Sequence, residues 1–186
     1  MAKQTALRTT IVLLLFLSGC ATGSLTKDDK FVPEKWRTLA VLPFTGADAF
    51  DKTTAEFFAF QLERQKHFQI VAPAKTEITL KRSGTVLASD GLTAESAQKV
   101  GRVIGADALI VGKITLHRFR DLTSVEVRLI DVATGQVIAS VVQSALGMVR
   151  GPAYAQYVRY ATERAAADMM AVLEELSTKR RGVKEE

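Results

Sequence analysis

Thr123-Ser124-Val125-Glu126-Val127-Arg128-Leu129-Ile130-Asp131, followed by Val132-Ala133-Thr134-Gly135-Gln136 and then Val137 to Leu146, is the stretch from which the fold is read. Val125, Val127 and Leu129 alternate with Glu126 and Arg128, the period-two pattern of a strand with one buried and one solvated face. Asp131 to Gln136 is a hairpin turn, with Gly135 suited to a positive φ. Val137 to Leu146 returns as the partner strand.

The pattern on either side completes an α/β order. Leu39-Ala40-Val41-Leu42, ending at Pro43, and Ala108-Leu109-Ile110-Val111 are continuous apolar runs of the kind that forms strands buried on both faces. The second continues with alternation through Ile114 and Leu116. Between them, Ala49–Gln65 reads as a helix with Phe50, Phe57, Phe58 and Leu62 on one side, and Thr53 and Glu56 have capping-box spacing. Phe68-Gln69-Ile70-Val71 is a short strand. Ala74–Leu80 allows one or two helical turns, and Ser83–Gly91 is a loop. Thr93 can cap a helix through Ile104, with Ala97, Val100, Gly101 and Ile104 on one face, closed by Gly105. Pro152 suits a first helical turn. The final helix, Ala153–Leu176, carries Tyr154, Tyr157, Val158, Ala161, Ala165, Met169, Val172, Leu173 and Leu176 as one stripe. The expected architecture is therefore a single layered α/β domain, a mixed sheet of about five strands with helices packed on it.

The N-terminus places this domain in a compartment. Lys3 and Arg8 give a basic n-region, Ile11–Leu17 is an unbroken apolar run, and Ser18-Gly19 supply small residues for a peptidase. That run is far short of the roughly 20 residues a membrane-spanning helix needs. Leu17-Ser18-Gly19-Cys20 resembles the bacterial lipobox, in which the precursor is cut before the cysteine and the thiol takes up lipid, palmitate included. The resemblance implies Cys20 as the lipidation site and the chain's only cysteine as its membrane anchor. Ala21 stands where an inner-membrane retention signal would carry Asp, so the implied location is the outer membrane, facing the periplasm. Residues 21–35 are polar, carry Gly23 and Pro33 and show no periodicity. They read as a tether of at most about 50 Å fully extended and nearer ~20 Å as a coil.

Composition narrows the chemistry. The formal net charge is +5, two of those charges lying on Lys3 and Arg8. The run Lys179-Arg180-Arg181 reads as part of a solvated tail, and no basic stripe interleaved with aromatics marks a nucleic-acid surface. With Cys20 acylated, no thiol remains for a disulfide or a metal. His67 and His117 lack acidic or thiol partners at ligand spacing. There is neither a nucleophile elbow nor a phosphate loop, and Gly101-Arg102-Val103-Ile104-Gly105 ends a helix where a nucleotide fingerprint would open one. Asp48, Asp51 and Glu56 cluster at a helix start, where the macrodipole favours carboxylates; Asp107 and Asp131 hold turns. The expectation is a protein with no catalytic residues, no cofactor and no metal.

Three segments in order, Thr38-Leu39-Ala40-Val41-Leu42-Pro43-Phe44, Gly105-Ala106-Asp107-Ala108-Leu109-Ile110-Val111-Gly112, and Val127-Arg128-Leu129-Ile130-Asp131-Val132-Ala133-Thr134-Gly135-Gln136-Val137, follow the lipobox. Together they resemble the periplasmic domain shared by CsgG-type curli secretion lipoproteins, LpoB-type activators of penicillin-binding proteins and a flagellum-associated outer-membrane lipoprotein group. The resemblance covers residues 36–176, the α/β domain; with the lipobox and the composition it divides the chain into a signal peptide at 1–19, a lipidated cysteine and tether at 20–35, and a charged tail at 177–186. A pore of the CsgG type inserts hairpins whose strands need about 9–11 residues each. The links Phe119–Leu122 and Ala133–Gly135 are too short for that; residues 123–146 have the length and alternation of such a hairpin, but the resemblance implies them as core sheet, so a pore is the alternative to an interaction domain. An activator of the LpoB type reaches its enzyme through a long linker, and the tether here is short. The expected function is non-enzymatic: an interaction or assembly domain serving a flagellar, secretion or peptidoglycan-synthesis machine. The expected partners are the membrane, an envelope protein and a second copy of the chain, without nucleic acid. The loop Gly84–Gly91 and an exposed sheet edge are the candidate contact surfaces.

Overall fold

A computed structural model describes residues 23–47, 50–85, 92–117, 122–146 and 154–182. In chain order these form β1 (Gly23–Lys27), β2 (Thr38–Val41), α1 (Asp51–Leu62), β3 (Gln69–Val71), α2 (Pro73–Arg82), α3 (Ala94–Ile104), β4 (Ala108–His117), β5 (Leu122–Asp131), β6 (Val137–Leu146) and α4 (Tyr154–Gly182). The six strands make one open sheet in the order β1-β6-β5-β4-β2-β3. β2 pairs in parallel with both β3 and β4, and the other pairings are antiparallel.

The two kinds of apolar pattern separate as the chemistry requires. β2, an unbroken apolar run, is buried on both faces: Leu39 and Val41 point to one core, Ala40 and Leu42 to another. β5 alternates as its sequence does, with Val125, Val127 and Leu129 fully buried and Glu126 and Arg128 half-buried on the opposite face. The larger core is covered by α1, through Ala55, Phe58 and Leu62, and by α4, through Val158, Ala161, Ala165, Met169, Val172, Leu173 and Leu176. Burying a side chain such as Phe58 contributes about 1.5–3 kcal/mol. The smaller core lies under α2 and α3, through Leu80, Ala97 and Val100.

Local signals read from the sequence operate as expected at several ends. The Thr93 hydroxyl oxygen accepts from the Ser96 backbone N–H at 3.2 Å, and α3 closes on Gly105 with φ of 75°. Gly135 adopts φ of 74° in the β5–β6 turn. Gly112 is required for a different reason: a Cβ there would meet the Phe44 ring at 2.3 Å, so β4 passes beneath that ring only because it lacks a side chain.

Four expectations change. The stretch 21–35 is no free tether: Gly23–Lys27 adds a sixth, edge strand, with Gly23 opposite Gln143 and Lys27 opposite Ala139. Backbone pairing with β6 holds it, so it needed no apolar periodicity. The charged tail is helical through Gly182, since three successive basic residues sit well at the C-terminal end of a helix dipole. The Thr53–Glu56 capping box is absent: α1 starts at Asp51, and the Glu56 carboxylate accepts from the Ala74 N–H at 2.8 Å, at the start of α2. Phe57 leaves the apolar side of α1 and is only partly buried, with the Arg159 guanidinium 5.4 Å from its ring centre. Cys20 and the lipobox, Asp48, most of the Gly84–Gly91 loop, the Phe119–Leu122 link up to Leu122 itself, and Pro152 lie outside the described residues.

Candidate functional site

Residues 28–37 carry the chain from β1, at one edge of the sheet, across the ends of the strands to β2. Trp36, the chain's one tryptophan, plugs that end. Its ring packs 5.1 Å from Phe31 and, edge-on, 6.4 Å from Phe68. Its indole N–H donates to Asp131 Oδ1 at 2.9 Å. Asp131, only 4 % exposed, uses its other oxygen to accept from the Thr134 N–H at 2.8 Å and the Thr134 hydroxyl at 2.7 Å. Both of its oxygens therefore carry donors, which is what a buried carboxylate requires. Asp107 acts similarly, its Oδ2 accepting from the Arg37 and Thr38 N–H groups at 2.7 and 2.9 Å and so fixing the entry to β2.

A second set of contacts pins this crossing to the end of α4. Arg180 donates to the Trp36 carbonyl and, at 3.3 Å, to that of His67, with its guanidinium 4.9 Å from the Phe68 ring centre. Lys27 pairs with Glu175 and, at 3.2 Å, with Asp29; Lys179 pairs with Glu175 at 3.1 Å and donates to the Asp29 carbonyl at 2.8 Å. The hydrogen bond from Lys27, and then that from Lys179, holds the Glu175 carboxyl below the usual carboxylate range. The Glu175 hydrogen bond in turn raises Lys27.

Between the crossing and the strand ends lies a cleft of about 370 Å³, walled by Phe31, Pro33, Trp36, Asp107, Asp131 and Ala133. Its buried walls are held by hydrogen bonds, and the Asp107 and Asp131 carboxylates are engaged by the chain's own donors, while Glu34 and Lys35 line its exposed lip. That is the arrangement of a shaped, partly apolar receptacle. A second groove of about 440 Å³ runs between the starts of α1 and α4, past Phe50, Thr53, Phe57, Val158, Arg159 and Thr162.

The sequence-derived candidates are dispersed. His67 lies by the Trp36 end of the sheet, its N–H donating to Gln65 Oε1 at 2.8 Å, while His117 closes β4 at the opposite end. Among the described residues, no group of three His, Cys, Asp or Glu could hold a metal ion, and no helix is long and apolar enough to cross a membrane. Asp131 does hold its turn. Its second role, toward Trp36 across 95 positions of sequence, had no local signal beyond the presence of a single tryptophan.

No family model and no curated protein matches the chain. Several solved structures are similar to it. The PelC dodecamer from Paraburkholderia phytofirmans is similar over 84 % of this chain and 97 % of that one, at 18 % identity and a TM-score of 0.45. Lipoprotein GNA1162 from Neisseria meningitidis is similar over 69 % of this chain and 96 % of that one, at 19 % identity and a TM-score of 0.47. The LpoB C-terminal domain from Escherichia coli is similar over 64 % and 88 % respectively, at 16 % identity and a TM-score of 0.43.

Proposed function

We propose that this chain is a lipid-anchored, non-enzymatic interaction domain on the periplasmic side of the bacterial outer membrane, supporting assembly of an envelope machine of the flagellar, secretion or peptidoglycan-synthesis kind. One observation carries the reading: Leu17-Ser18-Gly19-Cys20 stands immediately before an α/β domain whose first strand begins at Gly23. A short leash supports a role close to the membrane and weighs against a long-reach activator. The partner contacts the rim carrying Trp36, where the cleft walls are already held in place and binding costs little ordering.

In-cell photo-cross-linking tests this. A cross-linker at Lys35, beside the cleft, is expected to capture one defined envelope protein, and the same cross-linker at Glu126 is not. A detergent-stable ring of this chain alone that conducts ions would replace the reading with a pore. Turnover of peptidoglycan fragments by the purified domain would replace it with an enzyme.

A further inference from the structure

The register of β1 bears on how the domain stands on its membrane. Gly23 pairs with Gln143, and β1 runs from there away from the end of the sheet formed by Leu116 and His117 of β4, Leu122 of β5 and Leu146 of β6. Only Ala21 and Thr22 separate Cys20 from Gly23, a reach of about 10 Å even fully extended. Leu146 lies three residues beyond Gln143, again about 10 Å along a strand. A lipidated Cys20 therefore gets its acyl chains into hydrocarbon only if this end of the sheet, or the edge strand β1 beside it, comes down to the headgroups, and the exposed apolar side chain at the end of β6 favours the end. The Trp36 end is too far: Val137, where β6 begins at that end, lies six residues from Gln143, about 20 Å along the strand and twice that reach. Leu146, at 65 %, is the most exposed large apolar side chain among the described residues; the neighbouring Leu116 and Leu122 are half-buried.

We propose that the strand-end rim Leu116, His117, Leu122 and Leu146, with Gly23 about 10 Å behind it, rests on the lipid headgroup layer, so that the Trp36 cleft faces away from the membrane. The occupant of this rim is the bilayer surface, and its leucines sit at the headgroup boundary. The inference rests on Cys20 being acylated, as in the reading above.

Acylation leaves the chain without any other thiol, so single cysteines can be labelled specifically. Full-length acylated protein carrying Leu146→Cys, Thr26→Cys or Gln136→Cys, labelled with bimane, is reconstituted into phosphatidylethanolamine/phosphatidylglycerol vesicles containing a headgroup-nitroxide lipid. The label at position 146 is expected to lose most of its fluorescence, that at 26 less, and that at 136 least. A flexible Gly/Ser insertion between Thr22 and Gly23 should relieve the quenching at 146. Quenching at 26 equal to that at 146 would mean that the β1 edge lies on the membrane, and stronger quenching at 136 would invert the domain. Either result overturns the proposal, as does quenching indifferent to the insertion. The mass of the purified protein separates the two readings: absence of the acyl groups overturns the anchor itself, whereas an acylated protein with the wrong quenching order overturns only the orientation.

Discussion

The Trp36 indole N–H and Asp131 Oδ1 meet at 2.9 Å, joining the segment that enters the sheet to the turn that leaves β5. Asp131 is buried, and its remaining oxygen serves Thr134. The pair thus sets the floor of the cleft and the hairpin turn together.

Asp131→Ala strands the buried indole N–H and frees the Thr134 donors to water, so it should cost about 1–3 kcal/mol. Trp36→Phe should cost about 1–3 kcal/mol through the carboxylate oxygen left without its donor and the lost ring packing. Urea unfolding of the two single variants and the double variant measures the coupling. The double variant should be less destabilised than the two singles taken together, because the pair shares one interaction.

Gly112→Ala drives a Cβ to 2.3 Å from the Phe44 ring, which is buried and packed against Phe58 with ring centres 5.5 Å apart. Overpacking of this kind costs about 1–3 kcal/mol. Adding Phe44→Leu should recover part of the loss in thermal unfolding, since it vacates the space the new methyl enters.

The docking of β1 onto the end of α4 should depend on pH from both sides. Glu175 titrates below its ordinary 4.5, so its contribution is present above that value and is lost as pH falls through the depressed folded value. Lys27 titrates above its ordinary 10.5, so its contribution is present below that value and is lost as pH rises through the raised one. These groups are exposed, so salt should weaken the cluster as well. Hydrogen exchange by NMR at the β1 and Asp28 amides, corrected for intrinsic rate, should show protection greatest between the two limits and reduced in Glu175→Gln.

Cys20→Ser should abolish palmitate incorporation and leave the domain soluble or unprocessed, with its circular dichroism unchanged. Metabolic labelling and membrane fractionation read the outcome, and retention of the variant in the outer membrane would count against the lipid anchor.

The α/β class, the buried stripe of α4, the Thr93 cap, the Gly105 closure and the Asp131–Gly135 turn were legible because each is specified within a few residues by period, capping chemistry or permitted φ. β1 was not legible. Gly23–Lys27 has no apolar alternation, and all five residues are exposed; it is a strand because β6 offers an unpaired edge. The Thr53–Glu56 spacing misled for the opposite reason, since the sequence supplied a local cap and the fold spent Glu56 on the next helix. Arg180 read as tail because nothing nearby announces that its partners are backbone carbonyls of Trp36 and His67, far away in sequence.

By itself, the sequence determined every element but β1, their order, and a stretch ahead of them that resembles a lipobox, all properties of contiguous residues. Only the tertiary structure decided that the polar stretch after Cys20 is a sheet strand, that Trp36 closes on Asp131, and that the end of α4 clamps the crossing between β1 and β2. Those pairings join residues about a hundred positions or more apart, through hydrogen bonds and charges that any polar surface could have carried. Which of the many polar groups meet is set by the packing of the apolar faces beneath them.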